Sequence, residues 1–198
     1  MNLGSSNGFA GTAPDGTAIS GPQENTRIIG NYFNNCNQCI EFFTGTNRNI
    51  SIVGNVAENI RSTFMIDFGT NTENLVATGN SLSNWKNTNG YVFAGFGFQL
   101  SSMKGGAISG NTFEGLGIGV YSSENANSDL TGLTISGNSF RYMGKSVSML
   151  RKATVSAKIS GVNITGNTCY SNKYSAIEVN GSGILISGNN IVNAGVDG

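Results

Sequence analysis

One phrase recurs along the chain at nearly regular intervals. Residues 133–140 spell Leu-Thr-Ile-Ser-Gly-Asn-Ser-Phe, and close variants fill 27–33, 50–57, 75–82, 106–113, 162–169 and 184–191. The seven Gly-Asn pairs begin at 30, 54, 79, 110, 137, 166 and 188, so the intervals are 24, 25, 31, 27, 29 and 22 residues. A short phrase repeated with filler of variable length is the mark of a solenoid, in which each repeat buries its apolar face only against its neighbours. This feature limits the fold more than any other.

Aligned on the Gly, each copy reads as a strand, a corner and a second strand. Two residues before it stand Ile28, Ile52, Ala77, Ile108, Ile135, Ile164 and Ile186. Four before it stand Thr26, Ile50, Leu75, Gly106, Leu133, Val162 and Ile184. Three after it stand Phe33, Ala57, Leu82, Phe113, Phe140, Cys169 and Ile191. Alternation with period two is the pattern of a strand buried on one face. Gly and Asn suit a corner with positive φ, and stacked Asn side chains can link their amides in a ladder. A further strand follows each phrase, with inward pairs expected at Ile40/Phe42, Ile66/Phe68, Ala94/Phe96, Ile118/Val120, Val147/Met149 and Ile177/Val179. Polar insertions are expected as loops at 85–90, 97–105, 122–129 and 151–160. The expected fold is all-β, a single-domain solenoid of stacked strands with about seven turns over 1–198. The polar start and the stop at Val196-Asp197-Gly198 read as a piece excised from a longer solenoid, open at both ends.

Composition narrows the chemistry. Eleven basic and eleven acidic residues cancel, which gives no electrostatic footprint for nucleic acid. The absence of histidine removes the commonest general base and metal ligand. No apolar run of 18 residues exists, so no membrane-spanning helix is expected. Three cysteines form no complete disulfide framework. Cys36-Asn-Gln-Cys39 lacks a second pair and falls with Cys169 on core columns. No cofactor and no metal is expected.

The phrase [hydrophobic]-x-[hydrophobic]-x-Gly-Asn-x-[hydrophobic], with its following strand, resembles the right-handed parallel β-helix superfamily of pectate lyases and bacteriophage tailspikes. The resemblance covers essentially the whole chain. It implies a polysaccharide partner held along the strand face that follows each phrase. It also implies an extracellular or virion-surface location and, for a tailspike, a homotrimer.

On that strand face one outward column is expected to read Ala10, Glu41, Asp67, Gly95, Gly119, Ser148, Glu178 and Asp197. Carboxylates on adjacent rungs repel, and one of each pair is then suited to act as an acid. Two carboxyls roughly 5–5.5 Å apart are the arrangement of a retaining glycosidase. Glu41 and Asp67 are therefore the catalytic candidates, with Glu178 and Asp197 a second pair and Arg61 and Lys173 as nearby counter-charges. Gly95 and Gly119 would leave a bare strip, flanked by Trp85, Tyr91, Phe93, Phe98 and Tyr121 as a bed for sugar rings. The basic stretch Arg141, Lys145, Arg151, Lys152 and Lys158 reads as solvated surface or as a contact for an acidic glycan. Ordinary solvent-facing carboxylates remain the alternative for the acids. A non-catalytic carbohydrate-binding or adhesin module, a structural fibre segment and a polysaccharide lyase remain alternative functions.

Overall fold

A computed structural model describes residues 17–19, 23–34, 38–42, 45–59, 64–84, 86–87, 90–91 and 95–195, with backbone alone at 17–19, 64–65, 67, 69–70, 86–87 and 90–91. Among these residues there is no helix, and the strands stack in parallel as a β-solenoid of about five turns, a small difference from the seven expected. Three strands serve each turn. A leading strand ends just before the Gly (Arg27–Ile29, Asn47–Val53, Leu130–Ser136, Asn163–Thr165, Leu185–Ser187). A trailing strand follows the Asn (Tyr32–Asn34, Val56–Glu58, Ser81–Ser83, Thr112–Glu114, Ser139–Arg141, Thr168–Asn172, Asn190–Ala194). A third strand completes the turn (Thr17–Ile19, Ile40–Phe42, Ile118–Ser122, Lys145–Met149, Ile177–Val179). Two long strands, Phe64–Thr78 and Phe96–Ser109, run through the third and leading faces without a break. They join those two faces into one 13-stranded sheet, while the trailing strands form a separate sheet of seven.

The Gly-Asn corner holds the coil together. All seven glycines have φ between 61° and 67°, a conformation that costs an L-residue with a Cβ about 1–2 kcal/mol. The following Asn residues form one continuous ladder. Each Nδ2 donates to the Oδ1 of the next, from Asn31 through Asn55, Asn80, Asn111, Asn138 and Asn167 to Asn189, at 2.9–3.0 Å. Each Oδ1 also accepts the backbone N–H of the preceding Asn. From Asn55 to Asn167 these side chains are at most 2% exposed. The ladder therefore satisfies polar groups that would otherwise be stranded in the interior.

The core follows the alternating columns. Ile28, Ile52, Ala77, Ile108, Ile135 and Ile164 are buried, as are Phe33, Ala57, Leu82, Phe113, Phe140 and Cys169. Phe113 stacks on Phe140 at 4.6 Å and Phe42 on Phe68 at 4.9 Å, so like residues on successive rungs pack ring on ring. Cys39 and Cys169 are buried free thiols in this core; Cys36 lies outside the described residues.

A second corner has the same character and was not read from the sequence. Five residues before each Gly stand Asn25, Asn49, Asn74, Gly105, Gly132, Gly161 and Gly183, all with positive φ. The first three form a short exposed amide ladder, Asn49 Nδ2 to Asn25 Oδ1 at 3.0 Å and Asn74 Nδ2 to Asn49 Oδ1 at 3.1 Å.

Of the expected loops, 97–105 is instead part of the strand Phe96–Ser109. The 85–90 insertion carries a two-residue antiparallel hairpin, Lys86–Asn87 with Gly90–Tyr91. The segments 123–129 and 150–158 lie outside the strands and flank the corner between the third and leading faces.

Candidate functional site

The third face is where the repeat is least regular, and its register differs from the expected one in the middle. Ile40 pairs with Ile66, Glu41 with Asp67 and Phe42 with Phe68. The next rung brings Phe98 against Ile66, Gln99 against Asp67 and Leu100 against Phe68. Tyr121 then pairs with Gln99 and with Ser148, and Ser148 with Glu178. The register column thus reads Ala18, Glu41, Asp67, Gln99, Tyr121, Ser148 and Glu178, with Ala18 in the place expected for Ala10. Five inter-rung steps separate Glu41 from Glu178, a track of about 24 Å at the usual strand spacing.

This register removes the expected bare strip. Gly95 precedes the strand, at φ 77°. Gly119 is buried, and a Cβ there would lie 2.6 Å from the Phe140 ring and 2.7 Å from the Ser146 carbonyl. Gly97 is closed off in the same way, by Phe113 at 2.8 Å and the Gly119 carbonyl at 2.5 Å. These glycines make room for core phenylalanines; they do not expose a flat bed to solvent. The inward pair in register with Ile66/Phe68 is Phe98/Leu100, both fully buried, where Ala94/Phe96 was expected; Phe96 is half-buried and Ala94 lies outside the described residues. Burying Phe and Leu removes more apolar surface from water than burying Ala and Phe, which favours the observed alignment.

Phe98 accordingly belongs to the core and not to the surface bed expected for it. Tyr121 is half-buried on the outward face. Its ring stacks on Phe96 at 4.6 Å with an interplanar angle of 26°. Phe96, assigned inward from the sequence, is the partner ring that sequence reasoning missed. Trp85 and Phe93 lie outside the described residues, and Tyr91 is described by its backbone in the hairpin.

The acids divide into two environments. Glu41 and Asp67 sit directly opposite on neighbouring parallel rungs. Glu178 is tied down: Lys145 Nζ lies 2.7 Å from its Oε2, and the Ser148 hydroxyl donates to the same oxygen at 3.3 Å. Lys145 was not expected as its counter-charge. Lys173, which was, instead stands 5.3 Å over the Tyr174 ring. Asp197 and Arg61 lie outside the described residues.

The basic stretch disperses. Lys145 is paired with Glu178, Lys152 with Glu124 at 3.0 Å, and Arg141 sits over the Tyr142 ring at 5.8 Å. Arg151 is buried. Among the described residues, no group of three or more Asp, Glu, Cys or His is placed to hold a metal ion. No family model, no curated protein and no solved structure matches the chain. The fold and the face together define a parallel β-solenoid with a polar, partly acidic and partly aromatic track along one side.

Proposed function

We propose that this chain is a tailspike-like right-handed β-helix that binds a bacterial surface polysaccharide along its third face and hydrolyses it. The observation that carries this reading is the register pairing of Glu41 with Asp67. Adjacent parallel rungs are about 4.8 Å apart. That spacing suits the roughly 5–5.5 Å carboxyl separation of a retaining glycosidase, in which one carboxylic acid protonates the leaving oxygen and the other carboxylate attacks the anomeric carbon.

The rest of the track supports glycan binding. Gln99 and the Tyr121 hydroxyl supply hydrogen-bonding groups on successive rungs, and the Phe96–Tyr121 pair offers a ring face to a pyranose. A lyase, which needs a basic Arg, Lys or Tyr, is a further alternative; Lys145 on this face is engaged by Glu178. A non-catalytic binding module is the second reading, favoured by the aromatic pair lying away from the acids. An extracellular or virion-surface location and a homotrimer belong to the same proposal and rest on the resemblance to tailspikes.

The test is incubation with a panel of capsular and O-antigen polysaccharides, with product length read by gel permeation. Shortened chains that disappear with Glu41→Gln or Asp67→Asn are expected. Retention of a glycan without cleavage would favour the binding module. If no glycan is retained or cleaved, the reading is wrong.

A further inference from the structure

A groove of about 530 Å³ lies beside the polysaccharide track, at the corner between the third and leading faces. Its floor comes from the strands. Ser102 pairs with Asn71, and Lys104 pairs with Glu73 and with Thr131, so successive rungs present these side chains in two short columns. Asn71 and Ser102 follow Asp67 and Gln99 by four and three residues. At strand rise, the floor is thus no more than about 13 Å from the track.

The wall comes from the insertions at 123–129 and 150–158, which supply Asn127, Ser128 and Ser156. The buried Arg151 ties this wall together. Its Nη1 donates to the Ser122 hydroxyl and the Ser123 carbonyl, each at 2.8 Å, and its Nη2 donates to the Ser128 carbonyl at 3.3 Å. Asn180 fixes the Arg151 backbone in turn, accepting its N–H at 2.7 Å and donating to its carbonyl at 2.8 Å. Lys152 joins the same two insertions, its Nζ to the Glu124 carboxylate and its N–H to the Glu124 carbonyl, both at 3.0 Å. Asp129 Oδ1 accepts the Lys158 N–H at 2.8 Å. Loops cross-linked in this way form a preformed wall, which lowers the ordering cost of binding.

The groups left unspent define the ligand. The side chains of Asn71, Lys104, Asn127, Ser128 and Ser156 are exposed and form no hydrogen bond or ion pair among the described residues. Together they offer both donors and acceptors, as sugar hydroxyls require. Fixed charge selects no ion, since Glu73 is paired with Arg48 at 3.0 Å while Lys104 and Asp129 carry opposite charges. Apolar contact selects no hydrocarbon, since the apolar lining residues Met103 and Ala157 are buried. A neutral ligand rich in hydroxyls fits this lining.

We infer that the groove is a subsite for a neutral saccharide, carried as a side branch of the polysaccharide whose backbone follows the third face. The inference rests on the proposed glycan track for the source of that sugar, and adds that the polysaccharide is branched. Among the described residues no aromatic ring lines the groove, so a free sugar binds weakly. A branch tethered to a bound backbone gains from its high effective concentration.

Two-dimensional NMR of the full chain, titrated with neutral hexoses, 6-deoxyhexoses and N-acetylhexosamines, tests it. Saturable shifts are expected at the Asn71 and Asn127 side-chain amides, with a dissociation constant on the order of 1 mM or weaker. Asn71→Ala and Asn127→Ala, both exposed changes, should each weaken binding about threefold to tenfold, the value of one neutral hydrogen bond. On a branched polysaccharide that the chain cleaves, the same variants should raise KM by a similar factor and leave kcat unchanged, as for binding lost away from the reacting bond. Shifts confined to the third face, or groove shifts that neither variant weakens, overturn the subsite and leave the track standing. The absence of any shift with all of these sugars also overturns the subsite; the track is then decided by the polysaccharide panel alone.

Discussion

Replacing Asn111 with Ala removes one rung of the buried amide ladder, and its cost can be worked from the contacts. Asn111 Oδ1 accepts the Asn80 backbone N–H and the Asn80 Nδ2, both at 2.9 Å. Its own Nδ2 donates to the Ala77 carbonyl at 3.0 Å and the Asn138 Oδ1 at 3.0 Å. In Asn111→Ala, the Asn80 N–H, one Asn80 Nδ2–H and the Ala77 carbonyl lose these partners. Asn138 Oδ1 still accepts the N–H of residue 111. Asn80 and Asn111 are both 1% exposed, so bulk water does not reach the stranded groups directly. At about 1–3 kcal/mol for each orphaned group, a loss of about 3–5 kcal/mol follows after partial relaxation. The same substitution at the partly exposed Asn189 should cost about 1 kcal/mol, because water can replace the lost partners. Urea denaturation followed by far-ultraviolet circular dichroism measures both. A loss below about 1 kcal/mol at Asn111, or equal losses at the two sites, would refute the claim that the ladder is a buried, interdependent element.

Further outcomes follow from the same contacts. Gly97→Ala drives a Cβ into the Phe113 ring and the Gly119 carbonyl, and should cost about 3 kcal/mol. Gly137→Ala, with φ 61° and nothing within 4 Å, should cost about 1 kcal/mol, and thermal denaturation of the two separates overpacking from backbone strain. Glu41→Gln should leave stability within about 1 kcal/mol of wild type, since a partly exposed charge on a strand face contributes little and Gln keeps the shape and an amide. The same variant should lower cleavage of a susceptible glycan by about 10²–10⁴-fold, as loss of an acid or nucleophile requires. Burial raises the Cys169 thiol pKa, against a smaller lowering by a hydrogen bond with Ser146. Its folded pKa thus exceeds its unfolded one, so its stabilising contribution is complete below the ordinary thiol range. That contribution falls as pH rises from there through the raised value. Stability measured between neutral and alkaline pH should therefore decline less in Cys169→Ala than in wild type.

The fold was legible because its columns are short-range and periodic. The Ile column two residues before each Gly, the Phe33-to-Cys169 column and the Asn ladder could all be placed by counting from one dipeptide. The Asn/Gly column from Asn25 to Gly183 carries a weaker signal, because it changes from Asn to Gly partway along the coil and lies outside the apolar alternation. The third face was harder. After the hairpin at 86–91, two alignments of the strand satisfy period two, Ala94/Phe96 inward or Phe98/Leu100 inward. What selects between them is long-range: the space that Gly97 leaves for Phe113, and the stacking of Phe96 on Tyr121. Neither contact is encoded within the strand itself. Glu41 and Asp67 were paired correctly because they lie before the hairpin, where Ile40/Phe42 and Ile66/Phe68 fix the register without ambiguity. The partner of Glu178 could not be counted from the repeat either, since Lys145 enters from three positions before Ser148, the residue paired with Glu178, and reaches across by virtue of its long side chain.

Amide hydrogen exchange of the Glu41→Gln variant, with and without the polysaccharide it retains, tests the central claim most directly. The account predicts added protection along the third face, at 40–42, 98–100, 118–122 and 145–149, with the leading and trailing faces unchanged. Protection confined to the leading strands at 27–29, 50–53 and 133–136, or to the trailing strands, would contradict it.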